Sequence, residues 1–338
     1  MKNRIFGLLF VFVALGVAAC QSATDAYLQV ESPMLGTRMR IIADVKGISQ
    51  QELLRRAMDL DREMKSSMSI FEEGSLLNRI NRNETDSVDR HIAYNFTLAD
   101  SISQLSGGRY DVTVKPLVEA WGFAGKHRTA DPNVDSLLQF VGHSKIAIRE
   151  GRIVKADPRV QLDFNSVAKG YTVDLLADLV AACGAENYLV EIGGEIRCRG
   201  VNRQGKPWRI GVETPFEGNQ TNGEYLQRIL SFSEGGMATS GNYRRCYRDA
   251  EGNMVAHTIN PLSGRSALSR LLSVTVVAPT CAEADALGTM FLAMGAEDAL
   301  KLVQELTEAQ VYFILAGDQD DEYEEFISPR MHQLLNED

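Results

Sequence analysis

Between Asn187 and Val277 the chain reads as a run of short strand-like segments with no helix among them: Asn187–Ile192, Ile196–Arg199, Trp208–Val212, Leu226–Phe232, Gly236–Ser240 and Leu271–Val277. Parallel strands need long crossovers, usually helices, so this run demands antiparallel neighbours and excludes a doubly wound βαβ sheet. Helical periodicity lies on either side of it. Ser49 with Glu52 forms a capping-box pattern ahead of a helix to about Ser67, whose Leu53, Leu54, Ala57, Met58, Met64 and Met68 share a face that Asp61 interrupts. Further helices are predicted over Leu98–Ser106, Val167–Cys183 (stopped by Gly184), Cys281–Met294 and Asp298–Leu306. Strands are expected on both sides of a Pro33–Gly36 turn, and a last inner strand at Val311–Leu315. Lys155–Pro158 reads as a hairpin turn joining Arg152–Val154 to Val160–Phe164, and Asp318–Glu325 as a solvated charged turn. The fold class is α+β: mixed or antiparallel sheets layered against helices.

The N-terminus has its own pattern. Lys2 and Arg4 precede an apolar stretch, Ile5–Ala19, too short for a permanent membrane span, and Gly16-Val17-Ala18-Ala19-Cys20 closes it. This resembles the lipobox of bacterial lipoproteins. It implies a signal peptide over 1–19, a lipidated tether over 20–27 and a functional domain over 28–338. The protein is then expected to be exported, periplasm-facing and anchored to a bacterial membrane by lipid on Cys20. The chain has 338 residues with 45 acidic and 35 Lys or Arg side chains, a net charge of −10, which argues against a nucleic-acid partner. Cys183, Cys198, Cys246 and Cys281 lack metal-site spacing and read as buried thiols.

Polar constellations interrupt the apolar framework. Leu162–Tyr171 passes from an extended segment into a helix, a junction whose free N–H groups suit phosphate, with Lys169 adding a point charge; Asn165 or Ser166 could equally be plain caps. Gly193-Gly194 permits close approach of a ligand to the backbone, or makes a plain hairpin, and Glu195 follows as a candidate hydroxyl acceptor or a solubilising surface charge. Thr239-Ser240-Gly241-Asn242 and His257-Thr258-Ile259-Asn260-Pro261 each place small polar groups at a strand end; His91, His127, His143 and His332 read as solvated or structural. Asp285 and Thr289, four apart on a helix, put a carboxylate and a hydroxyl on one face, an oxygen pair suited to Mg²⁺, although by itself a helix-terminal Asp interacting with the N-terminal dipole is the plainer reading.

Taken in order, the blocks Leu35-Gly36-Thr37, Ser75-x-Leu77-x-Arg79-Ile80-Asn81, Ser106–Leu117, Trp121-Gly122-Phe123, Asp163–Tyr171, Leu189–Glu195, Ala238–Tyr243, His257–Gly264 and Ala282–Thr289 resemble the ApbE family of FAD:protein FMN transferases. The resemblance implies an ApbE-like layered fold and Mg²⁺-dependent transfer of FMN from FAD to a threonine hydroxyl of an acceptor protein, with AMP released. The acceptor would carry a threonine target motif, as a subunit of a membrane redox complex or a secreted FMN-bind protein. It implies flavin contacts from Met34, Gly36, Thr37, Trp121, Phe123, Ser166, Lys169, Glu195, Thr239, Asn242 and His257, and metal ligation by Asp285, Thr289 and the Ala168 carbonyl. His257 and Asp285 would be catalytic. FAD hydrolysis to FMN and AMP, and flavin storage without catalysis, are the alternatives. The chain departs from the family pattern at Val112, Lys115, Asn165-Ser166 and Asn260; the last puts an amide where an aspartate beside the histidine is usual.

Overall fold

The computed structural model describes residues 27–124, 129, 132–216, 225–243, 245–319 and 322–335. Its centre is an eight-stranded sheet. The elements used below are strands β1 (Leu28–Met34), β2 (Thr37–Ala43), β3 (Tyr188–Ile192), β4 (Glu195–Arg199), β5 (Trp208–Glu213), β6 (Leu226–Phe232), β7 (Glu234–Gly241), β8 (Leu271–Ala278), β9 (Gln310–Ala316) and β10 (Tyr323–Ile327). The helices are α1 (Gln50–Met68), α2 (Leu76–Asn81), α3 (Arg90–Leu105), α4 (Ala168–Ala182), α5 (Cys281–Met294) and α6 (Ala296–Glu305). The sheet order is β1-β2-β3-β4-β7-β8-β9-β10, with every neighbouring pair antiparallel. Hairpin β5–β6 leaves the sheet between β4 and β7 and folds over one face.

That excursion produces three layers. One sheet face meets helices through a core that includes Ile41, Val190 and Ala238 from strands and Leu53, Leu176 and Phe291 from α1, α4 and α5. The other face presents Ile42, Leu189, Ile196 and Met237 to Trp208, Ile210 and Phe232 of the hairpin. In β5 the side chains alternate buried and exposed, as a strand with one dry face requires. β8 sits mid-sheet and is buried on both faces along most of its length.

Side chains that looked anomalous in the sequence fix local geometry. Asp61, the break in the apolar face of α1, is buried and accepts the Leu35 N–H at 3.1 Å, pinning the β1–β2 turn where Leu35 has φ +48°. Ser49 caps α1 by accepting the Glu52 N–H, while the Glu52 carboxylate turns to Arg55 and Arg56 rather than closing the box.

Several expectations are corrected. α3 starts at Arg90, not Leu98, because Asp89 accepts the Ile92 N–H and the polar side chains His91 and Asn95 point into the core. The hairpin at Arg152 turns at Glu150-Gly151, both at positive φ, and pairs Ile146–Arg149 with Arg152–Lys155. Val160–Phe164 is no strand: the Asn81 amide donates to Leu162 O (2.9 Å) and accepts the Leu162 N–H (2.8 Å), replacing a strand partner. Tyr323–Ile327 is the sheet's last strand, and Glu325 accepts from Tyr312, Gln227 and Arg228. Of the four described thiols, all free, Cys198 and Cys281 are buried while Cys183 and Cys246 are half-buried.

The localisation expected from Cys20 is also corrected. The described residues form this layered body, with no helix among them long and apolar enough to cross a membrane. Cys20 and the segment before it lie outside the described residues, and no anchoring is assigned.

Candidate active site

The first turn of α4 and the first turn of α5 meet where Gly170 has no side chain. A Cβ there would lie 2.4 Å from the Cys281 carbonyl oxygen and 2.8 Å from Asp285 Cβ. The contact brings the Gly170 N–H to Asp285 Oδ2 at 3.0 Å and the neighbouring Lys169 ammonium to within 3.8 Å of the same oxygen. Lys169 also pairs with Glu195 Oε1 at the start of β4. Neither Asn165 nor Ser166 caps α4; its cap position, Val167, makes no side-chain bond, and the Ser166 hydroxyl instead meets Tyr110 Oη at 2.9 Å.

This corner lies in a cavity of about 630 Å³, to which α5 also contributes Thr289, β7 contributes Thr239 and Ser240, and the segment after it His257. Thr239 shares a hydroxyl contact with Thr275 (2.9 Å), and Ser240 with Thr289 (3.4 Å). Phe123 lies edge-on to His257 with ring centroids 6.3 Å apart, and the Arg245 guanidinium holds the Phe123 carbonyl.

The electrostatics are those of two carboxylates sharing one ammonium. Burial raises the Glu195 pKa to about 7, with Lys169 pulling it down and Asp285 pushing it up. Burial likewise raises Asp285, offset in part by Lys169 and the Gly170 N–H. Burial opposes the charge on Lys169, yet Asp285 and Glu195 outweigh it and raise its pKa. Glu195 Oε2 is buried with no hydrogen-bond partner. His257 is pushed down to about 4, first by burial and then by Arg245, so its ring is neutral at pH 7; its Nδ1 is buried and unpartnered.

The chain matches the ApbE family model over residues 35–313. It belongs to the ApbE family. The FAD:protein FMN transferase of Haemophilus influenzae is 34% identical over 334 residues, 94% of each chain. That of Vibrio cholerae is 32% identical over 345 residues, 99% of this chain and 100% of the relative. Among solved structures, the flavin transferase ApbE from Vibrio cholerae superposes with a TM-score of 0.80 at 31% identity, covering 91% of this chain and 99% of that one. The apo form of Pseudomonas stutzeri flavinyl transferase ApbE gives 0.80 at 26%, covering 91% and 96%. The α+β fold is the one these ApbE structures share.

Within this ApbE chain, Phe123, Ser166, Lys169, Glu195, Thr239, His257, Asp285 and Thr289 all line the cavity, whereas the remaining expected residues do not. Met34 closes β1 with its side chain in the main core, 1% exposed. Gly36 forms the turn after it, and Thr37 packs where a Cβ on Gly193 would stand 2.8 Å away. Trp121 donates Nε1–H to Gly264 O (2.9 Å) and packs on the small core of Leu117, Val134, Val141 and Ile259. Asn242 donates to Ala267 O, and the Ala168 carbonyl already accepts the Thr172 hydroxyl. Asn260 makes no hydrogen bond to His257: its Oδ1 accepts the Leu262 and Ser263 N–H groups and its Nδ2 donates to Ala293 O (3.3 Å). An aspartate could not make that last bond.

Lining residues not singled out from the sequence include Arg109, Tyr110, Asp163 and Arg245. Tyr110 and Asp163 lay inside recognisable blocks, and the Gly107-Gly108 break was the available signal for Arg109 and Tyr110. Arg245 offered none. His127 falls outside the described residues, and His91, read as solvated or structural, is structural, buried between Glu63 and Tyr171.

Proposed function

We propose that this protein transfers FMN from FAD to a threonine hydroxyl of an acceptor protein and releases AMP. One observation carries the reading: in a cavity of about 630 Å³, Lys169, Asp285 and Glu195 converge on the α4 N-terminal turn, leaving a buried carboxylate oxygen unmatched. The similarity to proteins named FAD:protein FMN transferase supports it.

The residues fit a hard divalent cation. Two buried carboxylates face one ammonium, Glu195 Oε2 lacks a partner, and Thr289 adds a neutral oxygen at the same cavity. Among the described residues no set of three His, Cys, Asp or Glu side chains is gathered, so a cation here would rely on Asp285 together with neutral oxygens such as that of Thr289. Asp285 and Thr289 would hold Mg²⁺, with the Ala168 carbonyl, which also accepts the Thr172 hydroxyl, as the third oxygen the family resemblance implies. Bound there, the ion would neutralise charge on the pyrophosphate.

The chain's own groups do the rest. Lys169 binds and orients phosphate through its ammonium, since the Ala168 and Gly170 N–H groups of the first turn of α4 are taken by Phe164 O and Asp285. The threonine oxygen forms a bond to the FMN-side phosphorus as the bond from that phosphorus to the bridging oxygen breaks, and AMP leaves with the electron pair. His257, neutral at pH 7, takes the hydroxyl proton on a ring nitrogen. Its low pKa makes it a weak base that holds the proton briefly.

The test is incubation of the full chain with FAD, Mg²⁺ and a purified FMN-bind domain, followed by the acceptor's intact mass. A gain of one FMN phosphoryl unit on threonine is expected. FMN and AMP in solution with an unchanged acceptor would replace transfer by hydrolysis.

A further inference from the structure

The short helix Lys115–Ala120 ends just before a residue that lines the cavity, Phe123. Trp121 is its C-cap, Gly122 follows at φ +86°, and the Gly122 and Phe123 N–H groups turn back to Glu119 O and Val118 O, both at 2.9 Å. These are the paired bonds of a left-handed glycine stop, a conformation that a residue with a side chain rarely adopts. The stop employs the N–H groups of the segment and supplies no donor to its carbonyls.

A distant stretch supplies those donors. The Tyr247 hydroxyl donates to Trp121 O and the Arg245 guanidinium to Phe123 O, each at 3.1 Å. The two residues lie two apart at the start of a hairpin that pairs Cys246–Arg248 with Met254–Ala256. The Tyr247 ring also lies against the Phe123 ring, centroids 5.5 Å apart. His257 follows directly on that hairpin and donates its backbone N–H to Arg245 O at 3.1 Å. Arg245 therefore holds Phe123 with its side chain and His257 with its carbonyl, on either side of the edge-on contact between the two rings. A histidine ring is commonly oriented by a hydrogen bond to one of its nitrogens. The buried Nδ1 of His257 has none, so packing against Phe123 has to do that work.

We infer that this hairpin is a clasp, in which Arg245 and Tyr247 are positioning residues that fix the Phe123 ring against His257 and thereby align the imidazole in the site. For its catalytic meaning the inference rests on the transferase reading, to which it adds the residues that hold the base in place. Tyr247 lines no part of the cavity, so its effect on the reaction passes through residues 121–123.

The test uses the full chain in two measurements. In ligand-free enzyme with labelled histidine, the His257 ring resonance is the one that His257→Gln deletes. Tyr247→Phe keeps the ring and removes the hydroxyl donor; it should shift that resonance and leave the other histidines in place. Transfer from FAD with Mg²⁺ to a purified FMN-bind domain then separates kcat from KM. Tyr247→Phe and Arg245→Met should each lower kcat about five- to tenfold, the scale of one lost hydrogen bond, with the acceptor KM unchanged. The double variant should lose less than the product of the two, because both act on one segment. Arg245→Lys, which keeps a donor, should recover the rate. A His257 resonance unmoved by Tyr247→Phe, or a wild-type kcat in both single variants, overturns the clasp. Wild-type enzyme that binds FAD yet modifies no threonine overturns the transferase reading instead, and the ligand-free resonance still decides the clasp.

Discussion

Two aspartates occupy nearly equivalent places and do different jobs. α4 and α5 exchange contacts at their first turns: Asp174 of α4 accepts the Cys281 and Ala282 N–H groups of α5, both at 2.9 Å, and Asp285 of α5 accepts the Gly170 N–H of α4 at 3.0 Å. Each aspartate lies one helical turn after the residue through which its own helix donates. Both are buried enough for desolvation to raise their pKa. The difference is what remains unspent. Asp174 uses both oxygens on backbone donors and adds Arg197 at 3.0 Å. Asp285 has one backbone donor, shares Lys169 with Glu195, and faces the cavity. A saturated carboxylate welds two helices; an unsaturated one in the same setting has capacity left for a ligand. Cavity lining is the second condition, because Ser67 and Asn95 also hold unmatched oxygens yet line no part of the cavity.

The comparison breaks first at Asp285. Asp285→Ala should reduce flavin transfer to background while circular dichroism shows a folded chain; transfer at the wild-type rate, with or without chelator, would end the metal assignment. Next comes His257, whose buried Nδ1 is also unspent. His257→Ala should slow transfer by about 10²–10⁴-fold with the FAD Kd nearly unchanged, and a parallel loss of affinity would make it a wall of the pocket. Asp174→Ala tests the saturated partner. It strands two N–H groups and Arg197, so denaturant unfolding should show a loss of about 2–4 kcal/mol, with the rate per folded molecule retained.

The smallest effect is on pH dependence. The His257 pKa falls from 6.5 in the unfolded chain to about 4 in the folded one. Between those values the unfolded chain binds a proton that the folded chain refuses. The associated stability is therefore intact above pH 6.5 and lost as pH drops toward 4. Over that interval the unfolding midpoint of the wild type should fall more steeply than that of His257→Gln. Parallel curves would show that burial does not hold the ring neutral.

The same distinction explains what the sequence made legible. Strand alternation and terminal glycines announce the sheet and the ends of α4 and α5, because burial and positive φ restrict residue choice locally. Asp285, Lys169 and Glu195 stood out as charges in apolar runs. Asp174 did not, since its donors come from a helix more than a hundred residues away, and one residue's identity carries no record of such a partner. Val160–Phe164 misleads for a related reason: its apolar pattern suits a strand, but the side-chain amide of Asn81 occupies the backbone groups a strand would share. The early start of α3 was hidden because its buried face is built from His91 and Asn95.

Gly170 carries a consequence for how this chain can vary. Gly236, on β7, abuts the same residue: a Cβ there would come within 2.2 Å of the Cys281 nitrogen. A methyl group at either glycine must displace the start of α5, and Asp285 rides on that helix one turn later. The reaction centre thus inherits the dimensional tolerance of two positions with no functional group at all. Alanine at either should act like a machining error, leaving every reactive atom present and moving the assembly out of alignment.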